Sequence, residues 1–134
     1  MWWRGPEAAW ILGDVSGFRA KRAYDEPSED DGHRILVDRL WPRGLSRERA
    51  ALDGWVKEVS PSTGLRKWFH AAPEERRAEF TERYAHELNE PTQQQAIGEL
   101  RALADKETVT LLTGARDPGH SYLVVLLKQL NAQE

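Results

Sequence analysis

Arg34-Ile-Leu-Val-Asp-Arg-Leu-Trp-Pro-Arg-Gly44 is the stretch on which the fold turns. Ile35, Leu36 and Val37 are consecutive apolar residues with no polar alternation, which suits a strand covered on both faces, as parallel strands are. The chain then turns polar at Asp38. Pro42 biases Trp41 toward extended backbone and Gly44 tolerates a positive φ, so the residues after Asp38 read as a loop leaving a strand end. Ser46 offers an N-cap for a short helix ending near Asp53 or Gly54.

Working upstream, Phe18–Tyr24 alternates apolar and basic residues and reads as an edge strand. Asp25–Gly32, with Pro27, Ser28 and three consecutive acids, reads as a solvated loop. Downstream, Trp55–Val59 fits neither period. Ser60-Pro-Ser-Thr63 supplies caps and an N1-type proline for a helix to about His70. Pro73–Asn89 is the clearest helix, with Phe80, Tyr84 and Leu88 every four residues and a favourable Glu79–Arg83 pair. Thr92 and Gln95 form a capping-box pattern for the next helix, whose stripe is Ile97, Leu100, Leu103 and Ala104. Thr108–Thr113 is a β-branched strand and Gly114–Gly119 a loop. Ser121–Asn131 admits a returning hairpin strand or a buried helix. Its length, and Asp117-Pro118 as N-cap and N1, favour the helix. Strands separated by helices predict an α/β fold: a small, mainly parallel sheet flanked by helices.

Composition bounds the rest. The chain has 134 residues, 40% hydrophobic and 31% charged, as an ordinary globular domain has. A net charge of -3 argues against a general nucleic-acid coat. With no cysteine there is no disulfide framework, thiol nucleophile or Cys-ligated metal. No apolar run approaches the ~18 residues of a membrane span. The run Ala8–Leu12 is too short for a signal peptide, and the expected location is cytoplasmic. Residues 1–16 hold Trp2, Trp3 and Trp10 among breakers and follow no helix or strand period. They read as an N-terminal arm, either a partly disordered accessory segment or a Trp-bearing arm that docks on a second subunit to give a homodimer. Residues 17–134 are then a single α/β domain.

In open parallel sheets, ligands bind beyond the carboxyl ends of the strands. Two loops there carry polar residues: one supplies Asp38, Arg39, Trp41 and Arg43, the other Gly114, Arg116, Asp117 and His120. A final helix capped at Asp117 would put His120 in its first turn, where free N–H groups favour an anion. Arginines from two loops would complete a cradle for phosphate or carboxylate. The candidate ligand-binding residues are therefore Arg39, Trp41, Arg43, Gly114 and Arg116. The candidate acid–base residues are Asp38 or Asp117 as base and His120 as acid. A structural reading stands beside this: Asp38 as a carboxylate bonded to loop amides or to Arg116, Trp41 as core, and Gly114 as a turn. Arg66 reads as a surface residue rather than a third anion contact. His33, His70, His86 and His120 make no metal signature, and Asp117-x-x-His120 with Asp38 is a weak ligand set, so neither metal nor cofactor is expected. P-loop, dinucleotide and nucleophile-elbow motifs are absent.

Four stretches resemble the YeaO-like family of small bacterial proteins, a branch of domain of unknown function 488. They are Lys21-Arg-Ala-Tyr-Asp25, Asp31-Gly-His-Arg-Ile-Leu-Val-Asp-Arg-Leu-Trp-Pro-Arg-Gly-Leu45, Ser60-Pro-Ser-Thr-Gly-Leu-Arg-Lys-Trp-Phe69 and Thr110-Leu-Leu-Thr-Gly-Ala-Arg-Asp117. The resemblance runs in order from about Gly17 to the C-terminus. It implies a compact α/β fold and a bacterial cytosolic protein, and transfers no mechanism. Longer members of the wider group tend to carry cysteine and histidine near the start of the last helix, where this chain has only His120.

The leading expectation is a domain that binds an anionic, phosphate-bearing or nucleotide-like small molecule, with acid–base catalysis as a further step. The alternatives are a non-catalytic interaction module anchored on tryptophans, and, less favoured, a nucleic-acid-associated protein making local phosphate contacts.

Overall fold

The computed structural model describes residues 17–132. The readings of residues 1–16 as an arm lie outside them. The described residues form four strands and five α-helices in the order β1 (Phe18–Arg22), β2 (His33–Leu36), α1 (Arg47–Ala50), β3 (Gly54–Trp55), α2 (Thr63–Ala71), α3 (Pro73–Leu88), α4 (Pro91–Lys106), β4 (Val109–Thr113) and α5 (Leu123–Asn131). The strands make one sheet of order β1-β4-β2-β3, and every pairing is parallel. The α/β expectation holds, β1 is an edge strand, and 123–131 is a helix rather than a hairpin strand.

Continuous apolarity in β2 and β4 corresponds to burial on both faces. Ile35, Val37, Val109 and Leu111 face the larger core with Leu65, Phe69, Phe80, Tyr84, Leu88, Ile97, Leu100 and the apolar side of α5. Leu36 and Leu112 face a smaller core with Ala23, Leu45 and Ala50. Helices α2 to α5 thus cover one face, and α1 with its flanking loops covers the other.

Local chemistry sets the element ends. Ser46 caps α1 through a bond from the Arg49 amide, but the helix is a single turn. Ala51 in the left-handed conformation (φ 47°) stops it, well before Asp53. Gly54 and Trp55 instead pair with Ile35 and Leu36 as the short edge strand β3. Ser62, not Ser60, caps α2, accepting from the Leu65 amide. Helix α4 starts at Pro91 with Glu90 as N-cap, and no side-chain capping bond forms, so the Thr92–Gln95 box is not used.

The loop before β2 departs from its reading as solvated. Asp31 is 1% exposed, bonded to Lys21 Nζ at 3.0 Å and to Arg34 Nη1 at 2.6 Å. Arg34 is itself buried, and its remaining donors reach the Ala50 carbonyl. Three acids in a row are an ordinary solvent signature; what hid Asp31 is that its two partners lie on β1 and β2.

Candidate functional site

The chain leaves β2 toward α1 on the minor face and leaves β4 toward α5 on the major face. Adjacent parallel strands whose connections part to opposite faces open a crevice at their carboxyl ends, which is where such sheets hold ligands. Asp38 closes the root of that crevice. Its Oδ2 accepts the Gly114 amide at 2.7 Å, and its Oδ1 accepts the hydroxyls of Thr113 at 2.7 Å and Tyr122 at 2.5 Å. A Cβ at position 114 would stand 3.3 Å from both Asp38 Oδ2 and Pro42 Cβ, so glycine lets the two loops approach. Burial, then the negative charge of Asp38, pushes the Tyr122 hydroxyl well above the usual tyrosine range, which keeps it a donor.

Above this root is a cavity of about 620 Å³. The loop after β2 gives Asp38 to Arg43, and the loop after β4 gives Gly114, Ala115, His120 and Tyr122. The α2–α3 hairpin forms the opposite wall with Arg66, Phe69, His70, Pro73, Arg77 and Phe80. Three bonds seat this hairpin. Ser62 donates to Glu87 through both its amide (2.9 Å) and its hydroxyl (2.6 Å), and buried Tyr84 donates its hydroxyl to the Val59 carbonyl.

The charge is one-sided. Arginines 39, 43, 66 and 77 border the cavity against one carboxylate, Asp38. Arg39 donates from Nε to the Pro61 carbonyl (3.1 Å) and from Nη2 to the Ser60 carbonyl (3.2 Å), bonds that fix its position without neutralising it. Among the described residues, Arg39, Arg43 and Arg66 have no carboxylate in ion-pair contact. Arg77 lies 3.7 Å from Glu74 one turn earlier on α3, an ion pair whose carboxylate is 94% exposed and whose guanidinium is largely covered.

Of the eight residues expected at the site, six border the cavity: Asp38, Arg39, Trp41, Arg43, Gly114 and His120. Arg116 and Asp117 do not. Arg116 is exposed and makes no pair with Asp38; of the two partners the structural reading offered, loop amides or Arg116, Asp38 takes a loop amide, that of Gly114, with two hydroxyls beside it. Asp117 acts from outside. Its Oδ1 accepts the Gly119 amide at 3.0 Å, and its Oδ2 lies 2.7 Å from His120 Nδ1. That contact favours a proton on Nδ1 and leaves Nε2 as the free ring nitrogen.

His120 is not in the first turn of the final helix. It ends a 3-10 turn, Pro118–His120, and α5 begins at Leu123. The amides of the turn are taken by Asp117, Pro118 and Ser121, so no set of free N–H groups awaits an anion there. Asp117 caps as expected, but Ser121 and Tyr122 are extended and turn residues that separate the cap from the helix. Asp38, Asp117 and His120 are not one ligand set: among the described residues no group of three or more His, Asp or Glu could hold a metal ion.

Arg66 is corrected from a surface residue to a cavity residue, because α2 runs along the crevice rather than behind it. Arg77, Tyr122 and Phe80 were missed as site residues. Arg77 lies one helical turn before Phe80 on the buried stripe of α3, and that spacing was a usable signal. Trp41 serves both readings. It is half-buried, donates to the Leu45 carbonyl at 2.6 Å and stands edge-on to Trp55, while still bordering the cavity.

The geometry therefore defines a small parallel α/β protein with an arginine-bordered crevice at its strand ends. Residues 17–134 match the family model described as the inactive DUF488-N3 subclade, and the chain belongs to that family, within the YeaO-like group. It is 42% identical over 114 residues to the protein named uncharacterized protein YeaO of Escherichia coli (strain K12), covering 85% of this chain and 96% of that protein. It is 40% identical over 115 residues to uncharacterized protein Rv3073c of Mycobacterium tuberculosis (strain ATCC 25618 / H37Rv), covering 86% of this chain and 94% of that protein. No solved structure matches the chain. No helix among the described residues is long and apolar enough to cross a membrane.

Proposed function

We propose that this chain is a cytoplasmic binding protein for a small anion, a phosphate-bearing or carboxylate-bearing molecule seated between the strand-end loops and the α2–α3 hairpin. One observation carries the reading: four arginines border the cavity against a single carboxylate, and that carboxylate is already committed to three donors. Guanidinium groups in a walled crevice attract and orient oxyanions. A carboxylate that accepts from two hydroxyls and an amide is a poor general base, because taking a proton would displace a donor it already holds. The word "inactive" in the description of the family agrees with binding in place of catalysis at Asp38. Any acid–base step falls to His120 Nε2, with Asp117 as its positioning residue.

The test is calorimetric titration with inorganic phosphate, pyrophosphate and adenosine monophosphate at low ionic strength. At least one should bind, and Arg43→Ala and Arg66→Ala should each weaken it about tenfold, the equivalent of ~1.4 kcal/mol. Arg116→Ala should bind as the parent does. If no anion binds, or if the Arg43 and Arg66 variants bind as well as the parent, the reading is wrong.

A second reading, an interaction surface, has one observation in its favour. Leu40 is 66% exposed and Trp55 37% exposed, and Lys57 lies 4.4 Å over the Trp55 ring. An oligomer or complex lost on Leu40→Ser would support it.

A further inference from the structure

We infer that the ligand is an organic anion with an aromatic or apolar body, its charged group held by the arginines and its body lying against the phenylalanine side of the crevice. This rests on the anion-site reading above and adds the class of molecule. Size is the first argument. A cavity of about 620 Å³ lies within the ~300–1,000 Å³ typical of small-molecule sites. It is roughly twenty times the ~30 Å³ share of one water, so a bare oxyanion would leave most of it to solvent.

The second argument is how the wall is built. Helix α2 presents Arg66 and Phe69 to the cavity at i and i+3, and α3 presents Arg77 and Phe80 at the same spacing. Each helix therefore sets a guanidinium one turn away from a benzyl ring. The two rings meet at 4.6 Å between centroids and are 9% and 2% exposed, so they form an apolar floor that reaches the cavity mainly at the edge of Phe69, beside the arginines. On the facing loop the order repeats, with Arg39 and Arg43 bracketing Leu40, Trp41 and Pro42. Leu40 is 66% exposed, the least covered large apolar side chain in the described residues, and it borders this cavity. A site for a fully hydrated ion has no use for apolar groups on both walls. A molecule with a charged head and an apolar body would use both.

The experiment compares inorganic phosphate, glycerol 1-phosphate, phenyl phosphate, benzoate and neutral phenol by calorimetry on the full chain. An aromatic anion should bind at least about tenfold tighter than inorganic phosphate and glycerol 1-phosphate. Whether phenyl phosphate or benzoate is preferred identifies the head group, and either preference supports the inference. Leu40→Ser, at an exposed position that the fold does not need, should weaken the aromatic anion severalfold and leave inorganic phosphate unchanged. Phe69→Leu, checked for native circular dichroism, should act in the same direction. Equal affinities for all the phosphates with no binding of benzoate would overturn this inference and leave the anion reading standing. Phenol binding as tightly as phenyl phosphate, or no binding by any anion, would overturn both.

Discussion

Tyr122 donates its hydroxyl to Asp38 Oδ1 at 2.5 Å across 84 residues of sequence, joining the approach to α5 to the end of β2. With Thr113 and Gly114 on the same carboxylate, it makes Asp38 the point where the β2 loop, the β4 loop and the last helix meet. Tyr122→Phe should destabilise the protein by about 1 kcal/mol and Asp38→Asn by about 1–3 kcal/mol, since an amide brings its own donors to a site that supplies only donors. Urea unfolding of both single variants and the double variant should show a coupling of about 0.5–3 kcal/mol. Additive losses would mean that the two groups act separately.

Two of the closely packed glycines, Gly114 and Gly32, should differ in severity. A Cβ at Gly114 meets its neighbours at 3.3 Å, so Gly114→Ala should lower stability by about 1–3 kcal/mol and still fold. At Gly32, φ is +61° and a Cβ would fall 2.1 Å from the Thr108 carbonyl oxygen, inside any tolerable contact. Gly32→Ala should fail to accumulate as folded protein. Thermal melts of the two variants side by side decide this, and equal melting points would contradict it.

Asp31 gives the protein an acid limit. Burial raises its carboxyl, but the Lys21 ammonium, the Ser28 amide and the Arg34 guanidinium outweigh that, and its folded value is lowered. A lowered folded value means the stabilisation is complete above the usual aspartate value of ~3.9 and is lost as pH falls through the lower folded value. Asp31→Asn should therefore flatten the fall in stability below about pH 4. At neutral pH it should cost about 3–5 kcal/mol, because Arg34 is left buried without its partner. The urea midpoint measured from pH 3 to pH 7 reads both effects, and an unchanged acid slope would exclude Asp31 as the cause.

At the alkaline end, burial pushes the Tyr84 hydroxyl well above its ordinary value, with Glu87 adding to the effect, and Tyr122 is shifted the same way. A raised folded value gives stability that is present below the unfolded value of ~10 and lost as pH rises past it. Two of the three tyrosines should thus ionise only together with unfolding. Absorbance at the tyrosinate band and far-ultraviolet dichroism, followed in one titration, should change together. Tyrosinate signal from both groups in a still-folded chain would contradict the assignment.

What could be read from the chain alone follows the range of each interaction. Ile35-Leu36-Val37 announced a strand buried on both faces because continuous apolarity is a local property. The two strand-end loops followed from it, and Asp38, Arg39, Arg43 and His120 were found there. Arg66 and Arg77 were not, because they enter the site from helices whose orientation depends on Ser62–Glu87 and Tyr84–Val59, contacts between residues 25 apart. The same reason hid Asp31. Arg116 and the start of α5 misled in the opposite sense: Asp117-Pro118 is a good local start signal, but it opens a 3-10 turn whose amides the chain itself consumes.

The strand order β1-β4-β2-β3 has a consequence for how the molecule comes into being. β1 and β2 share no ladder of their own; each bonds to β4, which is made last. During synthesis, Phe18–Arg22 and His33–Leu36 must wait, unpaired, until residues 109–113 have emerged, with only the two-residue β3 as an earlier partner for β2. Such a topology closes slowly, because the chain between its partners must be looped before any sheet contact rewards it. It also leaves strand edges open in the nascent chain, where aggregation competes with folding. The central strand is thus the keystone of assembly as well as of the sheet: its arrival joins the first strands to each other and, through Thr113 and Gly114, begins the root of the crevice, which Tyr122 then completes.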